Sequence, residues 1–371
     1  MRDINLQNQS TFEMGIHFTS RCTANCRICG TSSHPLHPEK MSPQKARKYI
    51  EQISSIPSYK IIGFTGGEPL IFYKEILELV GVAKSHGLRS KIATNAFWAT
   101  ARKTAYEKLK KLRDNGLDFI SISTDAYHQE YVPLERVLNA ILSALELDLA
   151  VTIAFIHKPD NGKELAKIIE FLRSFGLEDK LIFSRHLDPD IRQYLSMSYV
   201  DYIEEFKKRI YIRESTVSYG GRAMKFKNEC TFYPLEEMPR DGCVQVGRVM
   251  LIMPSGNLLM CCTPIGFDDN SFSIGNIDQE GLPVLIDKVR QDRVIEYLEV
   301  RGPYYMMEAL GKKGFHFNTR YTSKCHLCSQ MIKKLGRKRI ADALDTSENK
   351  FEIYLLKAVQ NRIYSEIERE R

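Results

Sequence analysis

The chain has 371 residues, of which 43% are hydrophobic and 27% charged, and its formal net charge is +7. This composition is ordinary for a globular protein, and the length suits two domains. The N-terminus lacks the apolar region of a signal peptide, and no apolar run approaches the roughly 18 residues of a membrane span. We therefore expect a cytoplasmic protein without membrane contact. Its nine cysteines then indicate metal ligands or reactive thiols, not disulfides.

From residue 15 to about residue 212, short β-rich runs alternate with amphipathic helical patterns. The predicted strands are Gly15–Ser20, Lys60–Phe64, Lys91–Thr94, Phe119–Ser123, Val151–Ile156 and Leu181–Ser184. The predicted helices are Pro43–Ile56, Lys74–Ser85, Arg102–Asn115, Leu134–Leu147, Lys163–Phe175 and Tyr199–Ile210. Repeated strand–helix alternation predicts an α/β fold with a parallel sheet, closed or curved into a partial barrel.

Three cysteines, Cys22, Cys26 and Cys29, follow the first predicted strand. A [4Fe–4S] cluster usually takes one thiolate for each iron. A loop that supplies only three therefore favours a cluster with one open iron, much as catalytic metal sites keep a free position. The alternative is a structural zinc site whose fourth ligand is His34 or His37.

Polar residues also mark the ends of the next three predicted strands. Gly66-Gly67-Glu68 follows the second strand, Asn95 ends the third, and Ser123 and Asp125 end the fourth. The carboxyl ends of parallel strands meet at one edge, where such folds place their chemistry. The glycines allow close backbone approach, the Glu68 carboxylate suits an ammonium group, and Ser123 and Asp125 suit sugar hydroxyls. These features predict an enzyme that binds S-adenosylmethionine beside the open iron.

Cys22-x3-Cys26-x2-Cys29 followed by Gly66-Gly67-Glu68-Pro69 resembles the radical S-adenosylmethionine (radical SAM) superfamily over roughly residues 15–223. The resemblance implies a partial (β/α)6 barrel and a [4Fe–4S] cluster whose open iron binds the cofactor. It also implies an external reductant of flavodoxin or ferredoxin type, reductive cleavage of S-adenosylmethionine to a 5′-deoxyadenosyl radical, and abstraction of a substrate hydrogen. The implied cofactor-binding residues are Gly66, Gly67, Glu68, Asn95, Ser123, Asp125 and Arg222. The chain departs from the family pattern at Ile28, which is usually aromatic, and at Ala96 and Ala126, which are commonly glycine.

A different pattern begins after about residue 213. A hairpin is predicted from Val249–Met253 and Leu258–Cys261, and the predicted helices are Leu282–Val300, Lys324–Ala343 and Lys350–Arg369. Four cysteines here make a closed ligand set: Cys243, Cys261, Cys325 and Cys328. A zinc ribbon has a similar pattern. The arrangement is also similar to the twitch extension, a shorter relative of the SPASM extension, which implies an auxiliary [4Fe–4S] cluster.

The resulting domain prediction is a barrel over residues 1–223, a small α+β twitch/SPASM-like domain over 224–343 and a C-terminal helix over 344–371. Cys230 and Cys262 remain outside both ligand sets. Each is either a small buried hydrophobe or a donor of a hydrogen atom to a substrate radical. Four histidines near strand ends suit packing, and we take His128 as the catalytic candidate among them: His17, His128, His157 and His186.

For the substrate we expect a ribosomally made peptide, because these extensions are common among peptide-modifying members of the superfamily. Cross-linking, epimerisation and oxidation all fit. Only 21 residues precede Cys22, so we expect leader binding by the basic C-terminal region or by a separate leader-binding protein. The alternative substrate is a small molecule, such as an amino sugar or another alcohol, that a radical SAM dehydrogenase oxidises. A double zinc ribbon that binds nucleic acid would leave the Gly-Gly-Glu-Pro turn unexplained, so we expect no nucleic-acid partner.

Overall fold

The computed structural model describes residues 12–158, 162–185, 207, 209–267, 270–346 and 349–358. The strands are β1 Phe12–Thr19, β2 Tyr59–Gly66, β3 Arg89–Thr94, β4 Leu117–Ser123, β5 Ala150–His157, β6 Leu181–Arg185, β7 Ile210–Thr216, β8 Tyr233–Pro234, β9 Val249–Ile252, β10 Asn257–Leu259, β11 Ser273–Asn276 and β12 Arg320–Tyr321. The helices are α1 Pro43–Ser54, α2 Tyr73–Ser85, α3 Arg102–Asp114, α4 Ala126–Gln129, α5 Leu134–Glu146, α6 Gly162–Ser174, α7 Ile277–Glu280, α8 Leu282–Gln291, α9 Arg293–Val300, α10 Gly302–Lys312, α11 Lys324–Leu335 and α12 Arg337–Leu344.

Ten strands form one sheet in the order β11-β10-β9-β1-β2-β3-β4-β5-β7-β6. Every pair from β9 to β6 is parallel, whereas β9 with β10 and β10 with β11 are antiparallel. The α/β class and the six predicted strands are confirmed. In the described part of the chain the two edge strands, β11 and β6, are not paired with each other, so the sheet is open.

The helices cover one face of this sheet. On β1, Met14, Ile16 and Phe18 are fully buried in the main hydrophobic core together with residues of α1 and α2. Because side chains alternate along a strand, Glu13 and His17 lie on the opposite, inner face. The carboxyl end of β1 leads directly into the three-cysteine loop.

Strand β7 was missed by the sequence prediction, which placed a helix over Tyr199–Ile210. Most of that helix, and His186, lie outside the described residues. β7 itself lies between β5 and β6 and buries Ile210 and Ile212. Its short apolar run adjoins a helical pattern, and periodicity does not separate the two at that length.

The predicted hairpin is confirmed, and it belongs to the main sheet because β9 pairs in parallel with β1. The two long predicted helices are each broken. Asp292 ends α8 and caps α9, since its carboxylate accepts hydrogen bonds from the N–H groups of Val294 and Ile295 at 2.9 and 3.1 Å. Gly336, with φ of 73°, separates α11 from α12. Residues 349–358 are helical, in line with the start of the predicted C-terminal helix.

The domain boundaries at 223 and 343 stay predictions. Within the described ranges, no helix combines the length and apolar character needed to cross a membrane.

Candidate active site

The three-cysteine loop leaves β1 and folds into tight turns. The Cys29 N–H donates to the Cys26 carbonyl at 3.1 Å, and the Ser32 N–H donates to the Cys29 carbonyl at 3.2 Å. Cys26 is buried, and Cys22 and Cys29 are half-buried. Burial, helped by the nearby Glu68 and Cys29, raises the pKa of the Cys22 thiol to about 12, although the hydrogen bond from the Ala24 N–H opposes the shift. Three clustered thiols fit a soft metal cluster, which binds thiolates and displaces their protons.

The Gly66-Gly67 turn at the end of β2 lies against the start of this loop. The Gly67 N–H donates to the Thr19 carbonyl at 2.6 Å, and the Glu68 N–H donates to the Arg21 carbonyl at 2.8 Å. A Cβ on Gly66, whose φ is 142°, would lie 2.2 Å from the Thr19 oxygen, and one on Gly67 would lie 2.4 Å from the Arg21 oxygen. Only glycine allows this approach.

The Glu68 carboxylate is completely buried. It accepts hydrogen bonds from the Leu70 N–H at 3.0 Å, the Asn95 N–H at 2.7 Å and the Thr94 hydroxyl, which lies 3.0 Å from both oxygens. Burial raises the pKa of Glu68 to about 7, and these hydrogen bonds oppose the shift. The sequence predicted that this carboxylate binds a cofactor ammonium. In the structure it ties the ends of β2 and β3 together, and the cofactor contact stays a prediction.

Asn95 links the end of β3 to the cysteine loop. Its side-chain NH2 donates to the Thr23 hydroxyl at 3.0 Å and lies 3.7 Å from the Cys22 sulfur. The next residue, Ala96, is buried and has φ of 63°. A left-handed conformation favours glycine, and this is the position where the family resemblance implied one.

Asp125 and His128 form a pair at the end of β4. The buried Asp125 caps α4: one oxygen accepts from the N–H groups of Tyr127 and His128, and the other lies 2.8 Å from His128 Nδ1. Burial opposes protonation of His128, but the Asp125 and Glu68 carboxylates outweigh it and raise the pKa of the imidazole. Ser123 is half-buried at the same strand end.

Arg222 contacts the cysteine loop through its backbone and its side chain. Its N–H donates to the Cys29 carbonyl at 2.9 Å, and its guanidinium donates to the carbonyls of Cys26, at 2.6 Å, and Ser33. The preceding Gly221 has φ of 54°, and a Cβ there would lie 2.3 Å from the Gly30 carbonyl oxygen. The family resemblance implied that Arg222 binds the cofactor, and this role stays a prediction. The structure shows it holding the loop backbone.

The second cysteine group comes from three segments. Cys243 donates its N–H to the Leu298 carbonyl of α9, Cys261 follows β10, and Cys325 and Cys328 lie in the first turns of α11. Burial raises the pKa of Cys261, and the thiols of Cys262, Cys325 and Cys243 raise it further. The same applies to Cys328, next to Cys243 and Cys325. The fold thus brings the four predicted ligands into one neighbourhood. Among the described residues, no three Cys, His, Asp or Glu side chains already surround a single-metal position.

The two remaining cysteines lie in different places. Burial raises the pKa of Cys262 to about 11, with Glu13 raising it and Arg213 and Lys91 lowering it. Glu13 and Lys91 pair at 3.0 Å on the inner face of the sheet, so Cys262 lies between the second cysteine group and that face. Cys230 instead packs with Cys26 in a small cluster beside the first loop.

A hydrogen-bonded chain below the loop was not predicted from the sequence. The Ser20 hydroxyl donates to the Glu39 carboxylate at 2.6 Å, so it accepts from His17 Nε2 at 2.9 Å. His17 is 1% exposed, and its Nδ1 has no hydrogen-bond partner within the described ranges. Burial, and then the nearby His37, lower the pKa of His17 to about 4, so the ring is neutral. Strand alternation alone would have placed His17 on the inner face.

Comparison with known proteins identifies the first part of the chain. Residues 16–172 match the Radical SAM superfamily. This region of the chain is therefore similar to radical SAM domains. The Bacillus subtilis (strain 168) protein YydG, whose name assigns it to peptide biosynthesis, is 27% identical over 329 residues, which are 86% of this chain and 91% of YydG.

Two further proteins are similar to this chain. The GTP 3′,8-cyclase of Aquifex aeolicus (strain VF5) is 24% identical over 325 residues, covering 77% of this chain and 91% of the cyclase. The crystal structure of Streptococcus suis SuiB bound to S-adenosylmethionine superposes with a TM-score of 0.49 and 16% identity, covering 81% of this chain and 75% of SuiB.

Proposed function

We propose that this protein is a radical SAM enzyme whose [4Fe–4S] cluster is held by Cys22, Cys26 and Cys29. The observation that carries the proposal is the three-thiol loop lying against Gly66 and Gly67 inside a matched radical SAM domain. When bound, the cluster and S-adenosylmethionine supply a 5′-deoxyadenosyl radical that abstracts a substrate hydrogen, and chemistry of this kind belongs to the cofactor.

The protein's own contribution is to fix the loop and bind the cofactor. Glu68, Asn95 and Arg222 connect the loop to two strand ends and to the segment after β7. We assign cofactor contacts to the backbone of Gly66 and Gly67 and to the Asn95 side chain, which already lies beside Cys22. Ser123 and Asp125 stand at the adjacent strand end and are assigned to the cofactor's ribose and carboxylate.

We further propose that Cys243, Cys261, Cys325 and Cys328 hold an auxiliary [4Fe–4S] cluster. Two buried thiols, Cys261 and Cys328, interact with the half-buried thiols of Cys243 and Cys325, and this grouping supports a closed site. A structural zinc ion is the competing occupant of the same ligands.

For the substrate we propose a ribosomally made peptide. The support is the relative named for peptide biosynthesis, of which this chain covers 91%. The inner face of the sheet offers the polar groups Glu13 and Lys91 for such a substrate. Cys262 is near enough for both charges to shift its pKa, which makes it a better candidate hydrogen-atom donor than Cys230. Epimerisation is the reaction that needs such a donor. A small-molecule substrate is the second candidate, because another relative is named as a GTP cyclase.

The test is anaerobic iron and sulfide analysis with EPR of the reduced protein, with and without S-adenosylmethionine, together with an assay of 5′-deoxyadenosine formation. We expect about eight irons in the wild type and about four in the Cys22→Ala/Cys26→Ala/Cys29→Ala variant, as two cubane clusters require. Only the wild-type spectrum should respond to S-adenosylmethionine. Zinc at the second group would overturn the auxiliary cluster, and zinc at both groups would overturn the enzyme.

The Cys262 role is tested separately. Peptides encoded beside the gene are incubated with the enzyme in deuterated water and examined by mass spectrometry. An epimerase using Cys262 would incorporate solvent deuterium, and Cys262→Ala would form 5′-deoxyadenosine without incorporation. Cys230→Ala is the matched control. Equal incorporation by both variants would contradict the assignment.

A further inference from the structure

A cavity of about 580 Å³ opens on the outside of the three-cysteine loop. The residues that form this cluster-loop pocket and matter here are Asn25, Ser32, His34, Leu36, Arg222 and Lys225. It is separate from the inner face of the sheet, where the polar strand residues lie.

The wall of the cluster-loop pocket is the backbone around Cys29. The N–H groups of Ser32 and Arg222 both donate to the Cys29 carbonyl, at 3.2 and 2.9 Å. The Cys29 sulfur lies 3.3 Å from the Thr31 hydroxyl. By contrast, the Gly67 turn and Asn95 lie against Cys22. The cofactor-binding turns therefore approach the loop at Cys22, and the pocket approaches it at Cys29.

The pocket surface is apolar and positively charged. Leu36 is 85% exposed, and Met224, next to the pocket residue Lys225, is 44% exposed. Lys225 is exposed, Arg222 adds a second positive charge, and none of the described lining residues is an acid. Exposed apolar side chains beside uncompensated positive charge are typical of a surface that receives an acidic protein.

We propose that the cluster-loop pocket is the docking site of an acidic one-electron carrier of the flavodoxin or ferredoxin class. The inference rests on the proposed function, which requires one electron at the first cluster for each cleavage. The carrier is oxidised by one electron and the cluster is reduced by one. Docking at Cys29 brings the carrier to a cluster ligand without crossing the cofactor and substrate side.

The experiment compares Lys225→Glu and Leu36→Ser with Lys338→Glu, which makes the same charge change on the exposed face of α12. Binding of oxidised bacterial flavodoxin to each purified protein is measured by calorimetry at low and moderate salt. Lys225→Glu and Leu36→Ser change the docking surface itself, so we expect them to weaken flavodoxin binding about tenfold. Lys338→Glu lies outside that surface and should change binding less than about twofold, because binding depends on complementarity at the interface. The Lys225→Glu effect should shrink as salt rises.

Stopped-flow reduction supplies the second measurement. Reduction by flavodoxin hydroquinone should slow in the two pocket variants, and reduction by dithionite should not, because a small reductant needs no docking surface. Equal loss in Lys225→Glu and Lys338→Glu, or none in either, would overturn the docking site. Displacement of flavodoxin by a precursor peptide would overturn it too, by assigning the pocket to substrate. If dithionite gives the wild type no 5′-deoxyadenosine, the proposed function itself fails.

Discussion

The two cysteine groups of this protein are held in contrasting ways. The first has three thiols on one short loop, fixed by hydrogen bonds from the polar side chains of Asn95 and Arg222. The second gathers four thiols from distant segments, fixed by packing of α9, α10 and α11 and by close backbone contact. An open site needs a loop that presents one face to a cofactor, so directional polar bonds set its shape. A closed site can be enclosed by the core.

The largest effect expected from this contrast is at Glu68. In Glu68→Ala, two backbone N–H groups and the Thr94 hydroxyl lose a buried acceptor, and an unsatisfied buried donor costs roughly 1–3 kcal/mol. We expect a loss of about 4 kcal/mol in the free energy of unfolding, measured with urea on the cluster-free protein. Glu78→Ala removes an exposed ion pair with Arg47 and should cost less than about 1 kcal/mol. Equal stability of the two variants would contradict the role of Glu68.

The backbone beside the second cysteine group is closely packed, so an added side chain there should destabilise the protein. Gly302 has φ of 82°, and a Cβ there would lie 2.0 Å from the Asp241 carbonyl oxygen, two residues before Cys243. We expect Gly302→Ala to cost about 3 kcal/mol through conformational strain and overpacking. Iron analysis should show loss from the second group only.

Gly311→Ala is the matched control in the same helix, α10, where a Cβ would meet nothing within 4 Å. It should be neutral or stabilise by about 0.5–1 kcal/mol. If Gly302→Ala retains about eight irons, the second cysteine group does not depend on this backbone contact.

The contrast also explains what the sequence could predict. Cys22, Gly66 and Glu68 carry local motifs, and the alternation of strands and helices was enough to place them at one edge of the sheet. The partners of Glu68 and Arg222 were not predictable, because hydrogen bonds such as Arg222 to Cys26 join residues far apart in sequence. The helix breaks at Asp292 and Gly336 agree with the preference of Asp for helix N-caps and of Gly for the left-handed backbone after a helix. The sequence prediction missed both breaks because the apolar periodicity continues across them.

His17, which is hydrogen-bonded to Ser20 at the start of the first cysteine loop, gives a pH-dependent test. Its pKa is lowered from 6.5 to about 4 by burial and by His37. The unfolded chain therefore binds the proton first as the pH falls, and stability is lost progressively between about pH 6.5 and pH 4. At pH 5 the loss from this group should be about 2 kcal/mol. Urea unfolding at pH 7 and pH 5 measures it, and His17→Phe should lose that much less between the two pH values. Identical pH dependence in the variant would contradict the assignment.

The smallest expected effect is at Arg222, where a substitution distinguishes the role of its positive charge from that of its hydrogen-bond geometry. Arg222→Lys keeps the positive charge and the backbone N–H bond to Cys29, but an ammonium does not span the Cys26 and Ser33 carbonyls as the planar guanidinium does. We expect a cost of about 1 kcal/mol in unfolding free energy. Iron content at the first group should fall while the second group stays loaded, because the lost bond orients only the loop. Arg47→Lys, at an exposed ion pair, is the control and should change neither quantity. If Arg222→Lys keeps the full iron content of the first group, the positive charge of residue 222 is sufficient for cluster binding. The loop would then hold its shape through Glu68 and Asn95 alone.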